Sequence, residues 1–296
     1  MKRQAIFARL GQYSSGVAGL VLLGAMVLVA LLAPFAAPSD PLALDLASKL
    51  LPPSSDHLLG TDQAGRDLLS RIIWGARESL LIAFGSVFFG TLFGVSLGLI
   101  AGYKQGTVIE NVITRVFDLF FSIPMLVLAI ALIGIIGTGS ISLGPLTIDD
   151  QAKLIGLIAF SFTPALGRIT YAAALVESRS DYVRAKRSQG ASPLELVVLE
   201  ILPNSIPPVI VQATLFIGVA VIVEASLSFI GLGVQPPTPS WGTMLADARN
   251  YIFSGEWWIA LFPGLAICLT VVGINLIGDA MRDMLDPRAG VRSGFI

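Results

Sequence analysis

Cysteine and histidine each occur once in the 296 residues, as Cys268 and His57. A disulfide within the chain is impossible, and a zinc site assembled from these two residue types is excluded. Charge is scarce too: Lys+Arg number 19 and Asp+Glu 20, or 13% of the chain, where an ordinary soluble domain carries about 25%. That excludes a disordered chain and a nucleic-acid binder with a basic surface. None of the five lysines (Lys2, Lys49, Lys104, Lys153, Lys186) follows a glycine, so the phosphate-cradling loop that ends in Gly-Lys-Ser/Thr is absent. What remains is apolar. Hydrophobic residues make up 54% of the chain and the mean hydropathy is +0.80, which places it among integral membrane proteins.

A spanning helix needs about 20 predominantly apolar residues, and here charges and turn residues mark where such stretches end. Pro34, Pro38 and Pro41 close the first, Gly102 the second, and Gly137-Thr-Gly-Ser the third, while Gly231-Leu-Gly233 and Pro236 to Pro239 turn 232–256 into a loop. Six spans follow, over 16–36, 79–101, 113–136, 152–172, 207–231 and 257–279. The fourth is the shortest uncharged run, ending at Arg168, whose long side chain can snorkel to the interface. Counting bases supports it. With the N-terminus inside, Lys2, Arg3, Arg9, Lys104, Arg115, Arg168, Arg179, Arg184, Lys186, Arg187, Arg282, Arg288 and Arg292 fall on the inner side and the remaining six outside. Omitting the fourth span inverts that ratio. The expected organisation is an all-α membrane protein: 1–78 with a tail, the first span and an outer loop, 79–280 as a five-helix core, and 281–296 as a cytoplasmic tail.

Segment 173–206 is organised beyond what a connector needs, since helix connections in bundles run about 2–8 residues. Residues 178–189 carry Arg179, Asp181, Arg184, Lys186 and Arg187 among Tyr182, Val183 and Ala185, and Gly190 then terminates a helix. Ser192-Pro193-Leu194-Glu195 is a helix start, with Ser192 as cap, Pro193 at the first position and Glu195 completing a capping box. Leu194, Val197, Val198, Ile201 and Leu202 form one apolar stripe, and Pro203 is expected to stop the helix. The pattern predicts a stiff helical elbow over 178–202, its apolar face against the spans and its charged arm turned to water or a partner.

Ala185, Gly190, Leu202 and Pro203 resemble the "EAA…G………I-LP" loop of bacterial ABC importer permeases, with Arg184 and Lys186 in place of Glu and the second Ala, and Glu200 in place of Ile. Three further stretches resemble the dipeptide/oligopeptide/nickel subfamily. These are His57-Leu-Leu-Gly60-Thr61-Asp62-Gln-Ala-Gly65-Arg66-Asp67-Leu-Leu-Ser70-Arg71 with Gly75-Ala76-Arg77; Glu224-Ala-Ser through Pro236-Pro237 to Trp241-Gly242; and Gly278-Asp279 through Arg282-Asp283 to Asp286-Pro287-Arg288. The likeness is to the second permease of such transporters, with a single helix ahead of the shared core. It implies a type I importer fold in the bacterial inner membrane, both termini cytoplasmic. It also implies a second, different permease, an outer binding protein over 37–78 and 232–256, and two ATPase subunits. The ATPases would meet the elbow at Asp181, Arg184, Ala185, Lys186, Gly190, Ala191, Leu202 and Pro203. No cofactor is implied, and dipeptides or oligopeptides are the expected cargo; a nickel or metal-chelate cargo, and an ion-coupled secondary transporter, stay open.

Three acids fall in or at the spans. Asp118 has Arg115 three residues away as a partner, and Asp279 has Arg282. Glu224 has no basic residue within twenty positions, so it is expected either to line the translocation path near the outer gate or to hold a partner helix by a hydrogen bond. An intramembrane hydrolase is disfavoured, because His57 lies in the outer loop and no lysine lies within a span beyond Lys153 at the outer edge of the fourth. His57 is expected to serve loop structure, with turns at Gly60 and Gly65 and capping by Asp62. Gly85, Gly90, Gly94 and Gly98 predict close helix packing, and Pro124 and Pro263 predict kinks.

Overall fold

The computed structural model describes residues 13–285 apart from 138, 144–145 and 252. Lys2, Arg3, Arg9, Arg288, Arg292 and the Asp286-Pro287-Arg288 stretch lie outside the described residues. Five helices are long and apolar enough to cross a membrane: α1 (Ser14–Leu31), α3 (Leu68–Tyr103), α6 (Asp150–Ser178), α8 (Pro193–Phe229) and α10 (Trp258–Leu285). The short α2 (Ala33–Ala36) continues α1 after a break ahead of Pro34. The third expected span, 113–136, is split into α4 (Val108–Phe121) and α5 (Met125–Ile136), bent by 95° at Ser122-Ile123-Pro124, so the count of crossings is six if that bent pair is one span. Pro124 cannot donate a helical hydrogen bond and biases Ile123 out of the helical region, so the expected kink is a full break.

Helices outrun the apolar stretches that announce them. α3 begins at Leu68 and runs unbroken through residue 79. Charge ends an apolar run, but it ends a helix only where its backbone bonds are lost. Arg71 is paired with Asp62, and Gln151 Nε2 donates to Glu78 Oε2 at 2.7 Å. Two elements appear where a loop is expected: α9 (Trp241–Ala248), started by the Ser240/Thr243 capping box, and a hairpin of β1 (Ile141–Leu143) with β2 (Leu146–Ile148), paired Ile141↔Ile148.

The core forms where α3, α6 and α8 meet. Ile82, Ile158, Phe162, Leu166, Leu227 and Trp241 are all buried there. Glycines let α3 and α6 approach: a Cβ on Gly94 would stand 2.9 Å from the Gly167 nitrogen, and one on Gly98 2.4 Å from the Gly167 carbonyl oxygen. Helices without a hydrophobic drive between them associate through such close packing. α1 packs on α10 where Gly19 meets Gly273 and leaves most of its surface exposed.

The outer loop is fastened to the helix ends. Gly60 and Gly65 adopt φ of +81° and +77°, as turns there require. The α3 cap is Asp67, which accepts from the Ser70 N–H at 2.8 Å, with His57 Nδ1 3.1 Å from its other oxygen. Asp62 does not cap the helix. It accepts from the Ala64 and Arg66 N–H groups at 2.7 and 3.0 Å and from Arg66 Nε at 2.7 Å, and also from Arg71. The residue immediately before Leu68 is placed to reach the free helix donors; Asp62, five positions earlier, is claimed by two guanidinium groups. Asp247 of α9 lies 3.5 Å from Arg66 Nη2 and 3.4 Å from Arg71 Nη1, joining the loops at 37–67 and 232–257.

Candidate functional site

The elbow consists of α7 (Asp181–Ser188), a joint at Gly190 with φ +88°, and the first two turns of α8. Both capping-box bonds form: Ser192 Oγ accepts from the Glu195 N–H at 3.2 Å, and Glu195 Oε2 from the Ser192 N–H at 3.4 Å. Pro203 does not stop the helix. Residues Leu196–Ile201 are π-helical, so the Leu202 N–H reaches back to the Val197 carbonyl, and the helix continues through Pro203, Pro207 and Pro208 to Phe229. Asn204 Nδ2 donates to the Glu200 carbonyl at 2.8 Å.

That π-turn also resets which face is buried. Of the expected stripe, Ile201 is buried and Val197 and Leu202 pack beside it, while the other fully buried residue is Leu196, five before Ile201 and outside the stripe. They pack with Val183 of α7 against Leu99 of α3 and Ala174 of α6. Leu194 is 74% exposed and Leu199 64%, with Val198 also outward. The elbow thus rests an apolar underside on the helix ends and presents a second apolar face outward.

Polar bonds tie the two arms. Lys186 Nζ lies 3.6 Å from Glu200 Oε1, so two departures from the importer loop pattern are partners across the joint. Exposed pairs of this kind contribute about 0–1 kcal/mol, so the Lys186–Glu200 pair sets geometry more than stability. The sequence signal was opposite charge at the two departing positions. Tyr182 donates to Glu177 at 2.5 Å and accepts from Asn204 Nδ2 at 3.0 Å. Burial, then the bond to Glu177, pushes its hydroxyl above the usual tyrosine range. Asp181 and Arg184 pair at 3.6 Å on the exposed arm, where Ala185 also faces out, while Ala191 and Leu202 are half-buried and Pro203 is exposed.

Glu224 of α8 is fully buried. Its Oε2 accepts from Ser79 of α3 at 2.9 Å and its Oε1 from Ser228 at 2.8 Å. Each serine in turn accepts a backbone N–H: Ser79 from Trp241 at 3.3 Å, Ser228 from Val234 at 3.1 Å. A hydroxyl has one hydrogen, so both are spent on Glu224, and the centre of the network must accept on both oxygens. Glutamine would aim a donor at one of those hydroxyls. Glu224→Gln is expected to cost about 1–3 kcal/mol, and Glu224→Ala at least as much because both hydroxyls lose their acceptor. Thermal unfolding of the purified chain checks this, and uptake at wild-type rates by both variants would remove Glu224 from the path.

Asp118 pairs with Arg168 of α6, not with Arg115; Arg168 sits 5.7 Å over the Phe121 ring. Helix neighbours three apart compete poorly with a guanidinium brought in directly by an adjacent helix. Asp279 is exposed near the end of α10.

Residues 3–53 match the model of the N-terminal TM domain of oligopeptide transport permease C, and residues 94–291 that of the binding-protein-dependent transport system inner membrane component. The chain is 45% identical over 276 residues to the di/tripeptide transport system permease protein DppC of Pseudomonas aeruginosa (strain UCBPP-PA14), covering 91% of this chain and 87% of that one. It is 42% identical over 270 residues to the probable D,D-dipeptide transport system permease protein DdpC of Escherichia coli (strain K12), covering 91% and 86%. A solved structure of the MetNI methionine ABC transporter in inward-facing conformations has a chain that superposes with a TM-score of 0.56 at 23% identity, over 73% of this chain and 96% of that one. The likeness to that solved transporter is one of fold. The long match over 94–291, together with these relatives, shows that the chain belongs to the family of binding-protein-dependent transport system inner membrane components.

Proposed function

We propose that this chain is the second permease of an ATP-driven importer of dipeptides or short oligopeptides in a bacterial inner membrane, with both termini cytoplasmic. The observation that carries the reading is the 45% identity, over nearly the whole chain, to a relative named for di/tripeptide transport. In this reading a second, homologous permease completes the pore, two ATPase subunits dock beneath the elbow, and an outer binding protein delivers peptide onto 37–78 and 232–256. The ATPase side meets Asp181, Arg184, Ala185, Lys186, Gly190 and Ala191 along with the outward Leu194 and Leu199, while Leu202 and Pro203 carry the motion into α8. A docked elbow held by its caps and buried underside moves as one piece, so closure of the ATPase pair is passed to the spans as a rigid displacement. Glu224 belongs to the outer gate, where it ties the loop after α8 to α3.

Affinity purification of the tagged chain from its own membranes tests this. An ATPase is expected to co-purify, and Leu199→Asp is expected to reduce its recovery severely while the permease pair stays assembled, because a charge there is stranded in a desolvated contact. Dialanine uptake should fall in step. Recovery of the chain with no ATPase, or gradient-driven uptake by the chain alone, overturns the proposal.

A further inference from the structure

The Asp118–Arg168 pair is placed oddly for a structural contact. Both side chains are about half exposed, 51% and 48%. α6 has 29 residues, about 43 Å at 1.5 Å per residue, which exceeds a hydrocarbon core of about 30 Å. Arg168 closes the apolar run of α6 and stands ten residues, about 15 Å, short of the helix end at Ser178. Charge exposed to lipid at this depth is costly. Arginine can snorkel; the short Asp118 carboxylate cannot. The open side of the pair is therefore not a surface suited to acyl chains.

Two other features converge there. Asn111, Arg115, Asp118 and Ser122 recur at intervals of four, three and four, all exposed, and make one polar stripe up α4 to its broken end. The neighbouring exposed face of Val108, Val112, Val116 and Leu119 is apolar and suits lipid. Beyond the break lies a cavity of about 280 Å³, walled by Phe121, Pro124, Ser161, Pro164 and Phe216. Irregular backbone at membrane depth is tolerated where it is buried in protein or lines a water-filled cavity. Phe121 belongs both to this wall and, as the ring beneath Arg168, to the ion pair.

We infer that the polar stripe of α4 lines the translocation path and that Asp118 and Arg168 form a waypoint for the two charged ends of a peptide. This rests on the peptide-import reading above. Asp118 accepts from the terminal ammonium, and the Arg168 fork donates to the terminal carboxylate, a pairing its planar geometry suits. The peptide's side chains lie toward the apolar cavity, so the site reads the backbone ends and not the sequence. When empty, the two groups neutralise each other. A lone cation or anion satisfies one partner and strands the other, whereas a zwitterion replaces both; the pair thus opens for peptides and stays closed to simple ions.

The test uses the whole complex, with its partner permease, ATPases and binding protein, in liposomes on a Cys268→Ser background. Asp118→Asn and Arg168→Gln are each expected to lower dialanine uptake about ten-fold or more, the loss of one charge-assisted bond. Ser122→Cys leaves the pair intact, so it reports even where the charge variants fail to fold. It should react with a membrane-impermeant thiol reagent and be shielded by dialanine, while Val112→Cys should not react. Uptake at wild-type rates in both charge variants, or Cys at 122 unreactive in a complex that does import dialanine, overturns the waypoint alone. A native complex that imports no dialanine overturns it together with the peptide reading.

Discussion

Gly98→Leu abolishes recovery of a monodisperse chain, and Gly98→Ala lowers stability by about 1–3 kcal/mol, the usual range for overpacking a filled contact. The reason lies in what a new Cβ meets. It would stand 2.4 Å from the Gly167 carbonyl oxygen, 2.7 Å from Thr170 Cβ and 2.9 Å from the Tyr171 nitrogen, two of them backbone atoms that cannot swing aside. Relief requires α3 and α6 to separate, and Gly94 and Gly102 to either side are also close, with nearest atoms at 2.9 and 2.7 Å from their Cβ positions. Gly167 has no room to retreat either, because its own missing Cβ is covered by the Phe117 ring of α4. Gly24→Ala is the control: nothing lies within 4 Å of its Cβ position, so stability should hold or rise slightly. Thermal unfolding in detergent, followed by intrinsic fluorescence, reads all three. Equal stability of Gly98→Ala and Gly24→Ala would contradict the packing described.

Asp62→Ala is expected to cost about 3–5 kcal/mol, the range for removing one partner of a buried ion pair. Asp62 and Arg71 are both buried, and the nearest other carboxylate, Asp247, stands 3.4 Å from Arg71 Nη1 and is a third exposed. The truncation also strips the acceptor from the Ala64 and Arg66 N–H groups, so the turn at Gly65 is left with its main-chain bonds alone. Faster proteolysis within 37–67 should accompany the loss, because the loop is held to the helix ends by these bonds and by Trp258 Nε1 donating to the Thr61 carbonyl at 3.2 Å. Asp62→Ala combined with Arg71→Leu should recover much of the deficit, since the main penalty is the stranded guanidinium and not the absent pair. A double variant no better than the single would place the energy in the turn instead.

The parts of the fold that were legible in the chain are those governed by near neighbours. The capping box at Ser192 and Glu195 is four residues long, and the joint at Gly190 needs only a residue that tolerates positive φ. The break at Pro124 follows from a missing N–H. Local rules failed where a local surprise intervened. One π-turn left Ile201, Val197 and Leu202 of the expected stripe on the underside, brought Leu196 in beside them, turned Leu194 and Val198 outward and carried the helix past Pro203, and no apolar periodicity announces such a turn. α9 carried a readable signal in Ser240 and Thr243, overridden by the prolines just before it.

Charge partners obey a different logic. By itself the sequence determined that the chain is membrane-embedded, roughly where it crosses, and that a capped elbow stands between the fourth and fifth spans, because hydropathy, periodicity and caps are properties of adjacent residues. Only the tertiary structure decided that Asp118 meets Arg168, that Lys186 meets Glu200 and that Glu224 meets Ser79, residues 50, 14 and 145 positions apart. A carboxylate takes whichever donor the fold brings within reach, and that choice has no period along the chain to betray it.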